Sequence, residues 1–201
     1  MKLVNDLWMP DGDTFFQSQG DYELQDYISL RKYLNRNRLA IDIGAHVGFW
    51  SRRLVQDFDI VHAFEPEHEH VLCLKKNIDN HKLVIHNLAL SDHEGTVKFS
   101  KYIENSGMSR VSPDGDPTYC TTLDSFNLVN VDLIKIDVEH HELEVLKGAK
   151  ETILKYKPVL FIEILHGTDA VIRQEIFNFI SPMRYYMSEV ISENYIFTAV
   201  E

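Results

Sequence analysis

The sequence predicts an α/β fold: a mostly parallel sheet with helices on both faces and one antiparallel strand at its end. Three observations carry this reading. After residue 38, short apolar runs alternate with stretches of helical periodicity, the pattern of a helix-covered parallel sheet. The run "LAIDIGAHVGFW" passes from an apolar strand through a glycine turn straight into an amphipathic helix. The last residues, "RYYMSEV" and "NYIFTAV", read as two strands joined by a short polar turn, so one of them must reverse direction.

Taken in order, residues 1–38 are expected to form a helical and loop cap, with "MPDGDTFF" as a turn punctuated by Pro10 and Gly12. Residues 39–201 then form the main domain. Its strands are "LAIDI", "IVHAFE", "KLVIHNLAL", "VDLIKIDV" and "PVLFIEIL". Val47, Trp50 and Leu54 draw the apolar face of a first helix, and Val71, Leu74 and Ile78 that of a second. Leu143, Leu146, Ala149 and Ile153 draw a third, which Pro158 stops. "TDAVIRQEIFNFI" is a last helix with Thr168 or Asp169 as its N-cap. Residues 96–122, rich in turn formers, read as a long loop of the kind that covers a site.

Apolar residues make up 44% and charged residues 25%, the proportions of an ordinary globular protein with one core. Asp and Glu number 31 against 20 Lys and Arg, a net charge of -11, so a phosphate backbone meets repulsion and nucleic acid is not an expected partner. Cys73 and Cys120 are too few for a disulfide framework. With no signal-peptide core at "MKLVNDLWMPDGD" and no run long enough to span a bilayer, a cytoplasmic protein without membrane partners is expected.

The glycine turn is the first chemical clue. Gly44, Ala45, His46 and Gly48 lie where a strand becomes a helix, so backbone N–H groups are expected to face a ligand. The spacing G-x-x-x-G differs from the G-x-G-x-x-G of pyrophosphate binders, and Asp42 beside it favours a cation over a phosphate. Glu65, followed by Pro66, ends the next strand about 20 residues after Gly44, where doubly wound folds offer a carboxylate to ribose hydroxyls. A ribose at one end and a positive amino-acid-like group at the other describe S-adenosylmethionine. Asn87, Ala89 and Asp92 at the third strand's tip are then placed near its adenine.

"IDIGAHVGFWS", "AFEP", "NLALSDHEGTV", "TTLDSF" and "LIKIDVEHHELEVLKGA" together resemble the FkbM family of S-adenosylmethionine-dependent methyltransferases, over about residues 39–165. The resemblance implies a class I methyltransferase (Rossmann-like) sheet of seven strands with an antiparallel terminal strand, in a three-layer sandwich. It also implies O-methylation of a small hydroxylated metabolite, sugar or glycan, with S-adenosylhomocysteine as product. One departure stands out: His140 takes the place of the glycine in the family's Lys-Ile-Asp-Val-Glu-Gly, and is expected to narrow the acceptor pocket or join the chemistry.

An alcohol acceptor must lose its proton, so carboxylates and imidazoles at the fourth and fifth strand tips are the candidate bases. Asp137 and Glu139 come first, with His140 as a third catalytic candidate. Asn105, Ser106, Glu163 and His166 are expected to meet the acceptor. Asp137 and Glu139 could take a divalent ion, but none is predicted, and His68, His70, His81 and His93 read as solvated surface residues. Each assignment has a plainer competitor: Asp42 as a turn former, Glu139 as a first-turn acid, Glu163 as a strand-end hydrogen-bonding group. The rival functions are a nucleotide-cofactor oxidoreductase and a binding module without turnover.

Overall fold

The computed structural model describes residues 1–16 and 22–200; residues 17–21 of the expected cap, and Glu201, lie outside the described residues. Two short strands, β1 (Lys2–Val4) and β2 (Leu7–Met9), form a hairpin, and α1 spans Leu24–Arg31. The hairpin was not legible as such, and it closes through Asn5 and Asp6, both at positive φ (47° and 64°) as a tight two-residue hairpin turn requires.

The main sheet contains β3 (Leu39–Ile43), β4 (Ile60–Phe64), β5 (Leu83–His86), β10 (Val131–Ile136), β11 (Val159–Glu163), β12 (Tyr185–Ile191) and β13 (Asn194–Ala199). Its seven strands run in the order β12-β13-β11-β10-β3-β4-β5. All neighbours among β5, β4, β3, β10 and β11 are parallel, while β13 is antiparallel to β11 and to β12. This is the Rossmann-like class I methyltransferase sheet, with the terminal hairpin supplying the reversed strand.

Alternating residues of the central strands feed two cores. Ile41, Ile43, Ile134, Ile136 and Ile162 pack with the helices α4 (Glu142–Gly148), α5 (Lys150–Tyr156) and α6 (Ala170–Ile180). Ala40, Val61, Ala63, Leu133 and Phe161 face α1, α2 (Ser51–Asp57) and α3 (His68–Asn77) on the other side. Each fully buried aliphatic side chain in these cores contributes about 1.5–3 kcal/mol. The stripe from Leu143 to Ile153 belongs to two helices, which part at Ala149, and Asp169 caps α6 by accepting from Val171 N.

Residues 96–122 depart from the loop reading. The strands β7 (Gly95–Ser100), β8 (Arg110–Val111) and β9 (Asp116–Thr121) join β6 (Ala89–Leu90) in a second sheet of order β6-β9-β7-β8. Val97 and Phe99 point inward while Thr96 and Lys98 point out, a two-residue alternation that the surrounding turn formers obscured. "KLVIHNLAL" likewise splits into β5 and β6, because Asn87 turns its amide back onto the carbonyls of Glu65 and Pro66. The third strand's tip therefore serves two sheets.

Candidate active site

The carboxyl ends of β3 and β10 form the crevice where open parallel sheets bind ligands. A cavity of about 370 Å³ lies there. Following the strands, its wall passes from Ala89 and Leu90, past Glu65, across Gly44 and Ala45, to Asp137, Glu139 and Glu163.

The glycine turn works differently from the expectation. Gly44 N and Ala45 N both donate to Phe64 O (3.0 and 3.1 Å), and His46 N donates to Glu65 Oε2 at 2.9 Å. Those amides are spent on the end of β4 and on the Glu65 carboxylate just after it rather than offered to a ligand. A Cβ on Gly44 would sit 1.7 Å from the Asp137 carbonyl oxygen, and one on Gly48 would meet Leu74 at 2.5 Å. Both glycines thus admit close packing of the protein on itself, and Gly48 does not border the cavity. A turn with these amides paired gives little to a pyrophosphate, which needs free N–H donors.

Glu65, only 4% exposed, anchors the neighbouring loop. Its Oε1 accepts from Glu67 N (2.8 Å) and lies 3.1 Å from His70 Nδ1, while Oε2 accepts only from His46 N among these contacts. A carboxylate has about four acceptor positions, so Oε2 keeps capacity for a ribose hydroxyl. His70 is buried against Glu65 rather than solvated, because His68 and His70 point to opposite sides of α3 and only His68 faces out. Pro66 and Ala89 border the cavity; Asn87 and Asp92 do not. Asn87 is spent on the Glu65–Pro66 carbonyls, and Asp92 pairs with His93 at the surface.

Asp42 is the clearest correction. It is completely buried beneath the turn, where Oδ2 accepts from Ser51 Oγ at 2.6 Å and Oδ1 lies 3.4 Å from Lys135 Nζ. Its strand position turns it toward α2 rather than the crevice. Lys135, also buried, reaches Asp137 Oδ2 at 3.0 Å and Gly44 O at 3.4 Å. Burial works against its charge, but Asp137 and Asp42 outweigh that and raise its pKa. The signal for this residue was in the sequence: a lone lysine inside the apolar run "DLIKID" must find carboxylates.

At the opposite end, Glu139 borders the cavity, and burial together with Asp137 pushes its carboxyl up to about 7. Glu163 stands beside Asp137, and burial and that anion hold its carboxyl far above the ordinary range. His140 adopts φ 78°, the left-handed conformation that its glycine-like position implied, but its ring turns away from the cavity toward Thr168 Oγ1 at 3.4 Å. His166 is exposed and paired with Glu193, so it too lies outside the cavity wall.

Asn105 and Ser106 border the cavity from the second sheet's connecting segment. The Ser106 hydroxyl is already committed, donating to Asp13 Oδ2 and lying 2.7 Å from His46 Nε2, so it serves as a clamp rather than an acceptor contact. Sequence reasoning missed Glu23, which reaches the same cavity from the N-terminal segment, and whose neighbours no local pattern could reveal. Glu23, Asp137 and Glu163 offer carboxylate oxygens all within 4.8 Å of one another, the one such group among the described residues. An ammonium already sits on Asp137, and the Trp50 indole N–H donates to Glu23 at 2.6 Å.

A family model for the methyltransferase FkbM domain matches residues 42–190. The chain belongs to the FkbM methyltransferase family. Among solved structures, methyltransferase FkbM from Methylobacillus flagellatus KT superposes with a TM-score of 0.64 at 18% identity, covering 97% of this chain and 49% of that one. The chain therefore spans about half the length of that relative. A putative RNA methyltransferase from Pyrococcus horikoshii (TM-score 0.55, 14% identity, 97% and 94% covered) shares the fold. So does a putative methyltransferase from Streptococcus mutans solved in complex with SAH (0.53, 10%, 86% and 93%). No curated protein matches in sequence. Glu65 retains an acceptor that would serve the ribose of either S-adenosylmethionine or a dinucleotide, while the acids at the far end of the cavity and the paired turn amides fit S-adenosylmethionine better.

Proposed function

We propose that this FkbM domain is an S-adenosylmethionine-dependent O-methyltransferase that acts on a hydroxyl of a small metabolite, sugar or glycan. One observation carries the reading: a single cavity runs from a ribose-type carboxylate, Glu65, across the β3 turn to the acids Asp137, Glu139 and Glu163. When bound, the cofactor supplies an electrophilic methyl group on a sulfonium. The chain's own residues then have three tasks. Glu65, braced by His46 N and Glu67 N, takes the ribose hydroxyls. Asp137, held in place by Lys135, presents its carboxylate beside the site of transfer. Glu139 accepts the acceptor hydroxyl's proton at a side-chain oxygen, with a pKa near operating pH as a general base requires.

The acidic wall and the net charge of -11 favour a neutral acceptor over nucleic acid. Among the described residues no helix is long and apolar enough to cross a membrane. Cys73 and Cys120 are free and buried, which suits a reducing cytoplasmic setting. The described residues of the N-terminal segment act as a cap, a reading supported by Phe16 and Glu23 at the cavity. The test pairs two measurements on the purified chain. Calorimetric titration should show S-adenosylhomocysteine binding and no NAD binding. Labelled-methyl transfer to a panel of sugars, phenols and polyols should then identify an acceptor; binding without transfer to any hydroxyl would favour a module without turnover.

A further inference from the structure

The cofactor reading leaves one end of the ligand without an obvious partner. Asp42, the acid that precedes the glycine turn in sequence, is sealed beneath it and matched by Lys135 and Ser51. Asp137 has its Oδ2 held by the same lysine. Beside Glu163, a further acid faces this part of the cavity from outside the family-matched residues: Glu23, just ahead of α1.

Glu23 is built to point inward. It occupies the N-cap position of α1, yet its side chain makes no capping hydrogen bond, and its backbone takes the left-handed conformation at φ 53°. An acid at this place ordinarily turns back onto the helix amides. Here the carboxylate is carried to the cavity and fixed there by the Trp50 indole N–H at 2.6 Å. Its surroundings independently suit a cation. The Tyr22 and Phe49 rings stand 5.1 Å apart in the same wall, and Trp50 adds a third ring. Aromatic faces attract positive charge, as does the Asp137 carboxylate within 4.8 Å, while Glu163, whose carboxyl is held protonated by burial and by Asp137, adds no charge of its own. Within this group one ammonium, that of Lys135, faces the acids Asp42, Asp137 and Glu23. A second ammonium would offset part of the negative charge that Lys135 leaves.

We propose that Glu23 binds the α-ammonium of the cofactor's methionine end, so that the N-terminal segment completes the binding site. This rests on the cofactor reading above. It makes Glu23 a binding residue for the amino-acid end alone, with no part in holding adenine or ribose.

The test uses the whole chain and two ligands, S-adenosylhomocysteine and its analogue lacking the α-amino group. In the wild type the parent ligand should bind at least about tenfold more tightly, the value of a charge-assisted hydrogen bond. In Glu23→Gln that preference should vanish, through weaker binding of the parent with the deamino analogue unchanged. Trp50→Phe, which frees the carboxylate without removing it, should reduce the preference part-way. A preference retained in Glu23→Gln overturns the assignment alone. A wild type that binds neither ligand overturns the cofactor reading and the assignment with it. Tight binding of magnesium or calcium to the wild type, lost in Glu23→Gln and competitive with the parent ligand, would make Glu23 a metal ligand and overturn it as well.

Discussion

Asp137 lies just past the end of β10, two residues after Lys135, and the lysine ammonium reaches it at 3.0 Å while also facing buried Asp42 at 3.4 Å. The tip of β10 and the floor of β3 therefore share one internal cation. Lys135→Met should cost roughly 3–5 kcal/mol, because it strands Asp42 in the core without a counter-charge. Adding Asp42→Asn should recover most of that loss. Urea unfolding of both variants checks this; a double variant no more stable than the single one would show that the lysine acts through packing.

Glu65→Ala should weaken S-adenosylhomocysteine binding by about 1.5–3 kcal/mol, the loss of charged hydrogen bonds to the ribose. It also releases His46 N and Glu67 N, so the loop after β4 should exchange its amide hydrogens faster. Calorimetry and hydrogen exchange read the two effects separately. An unchanged dissociation constant would take Glu65 out of the binding site.

The Glu139 carboxyl, raised to about 7 from an ordinary value of 4.5 by burial and by Asp137, must lose its proton before it can act as a base. Turnover should accordingly climb as pH rises through about 7 and level off above it. Glu139→Gln should remove that rising limb and most of the activity, on the order of 10²-fold or more. Full activity with an unaltered pH profile would hand the proton to another group.

Glu142 offers a separate pH signature, in stability rather than rate. Burial raises its carboxyl to about 7, so between about 4.5 and 7 the folded chain holds a proton that the unfolded chain has released. Its contribution should make unfolding easier as pH climbs across that window and become constant above it. Glu142→Gln keeps an acceptor for His140 N and should reduce the slope of the dependence in denaturant melts, leaving the share that Glu23 and Glu139 contribute in the same window.

His140→Gly should stabilise the chain by roughly 1 kcal/mol, since a left-handed backbone costs a side chain-bearing residue about 1–2 kcal/mol and glycine entropy returns part of it. Because the imidazole points toward Thr168 and not into the cavity, the acceptor range should stay as it is. A broadened range in the transfer assay would place the ring in the acceptor's path.

Much of the fold was legible because it is written in local periodicity. The strands from "LAIDI" to "PVLFIEIL", the closing hairpin and the glycine turn all emerge from patterns a few residues long. What escaped was set by contacts between distant segments. Asp42 sits at a strand tip, and only the packing of Ser51 and Lys135 shows that it faces inward. Ser106 looks like a loop hydroxyl until Asp13 and His46, from two other parts of the chain, claim it. Glu23 carries no motif, and its meeting with Asp137 and Glu163 exists only once α1 has docked. The β7–β9 sheet hid because Gly, Pro and Asp residues around its short strands outweighed a two-residue alternation in "TVKF".

The paired amides of the Gly44–His46 turn also bear on redesign. Inserting the missing third glycine would not convert this scaffold into a dinucleotide binder, because the donors such a ligand requires would first have to be freed from Phe64 and Glu65. Freeing them would unstitch two neighbouring strands at their ends. The pairing of these amides is thus part of the sheet's own cohesion, and undoing it would trade away foldability before it gained a new ligand.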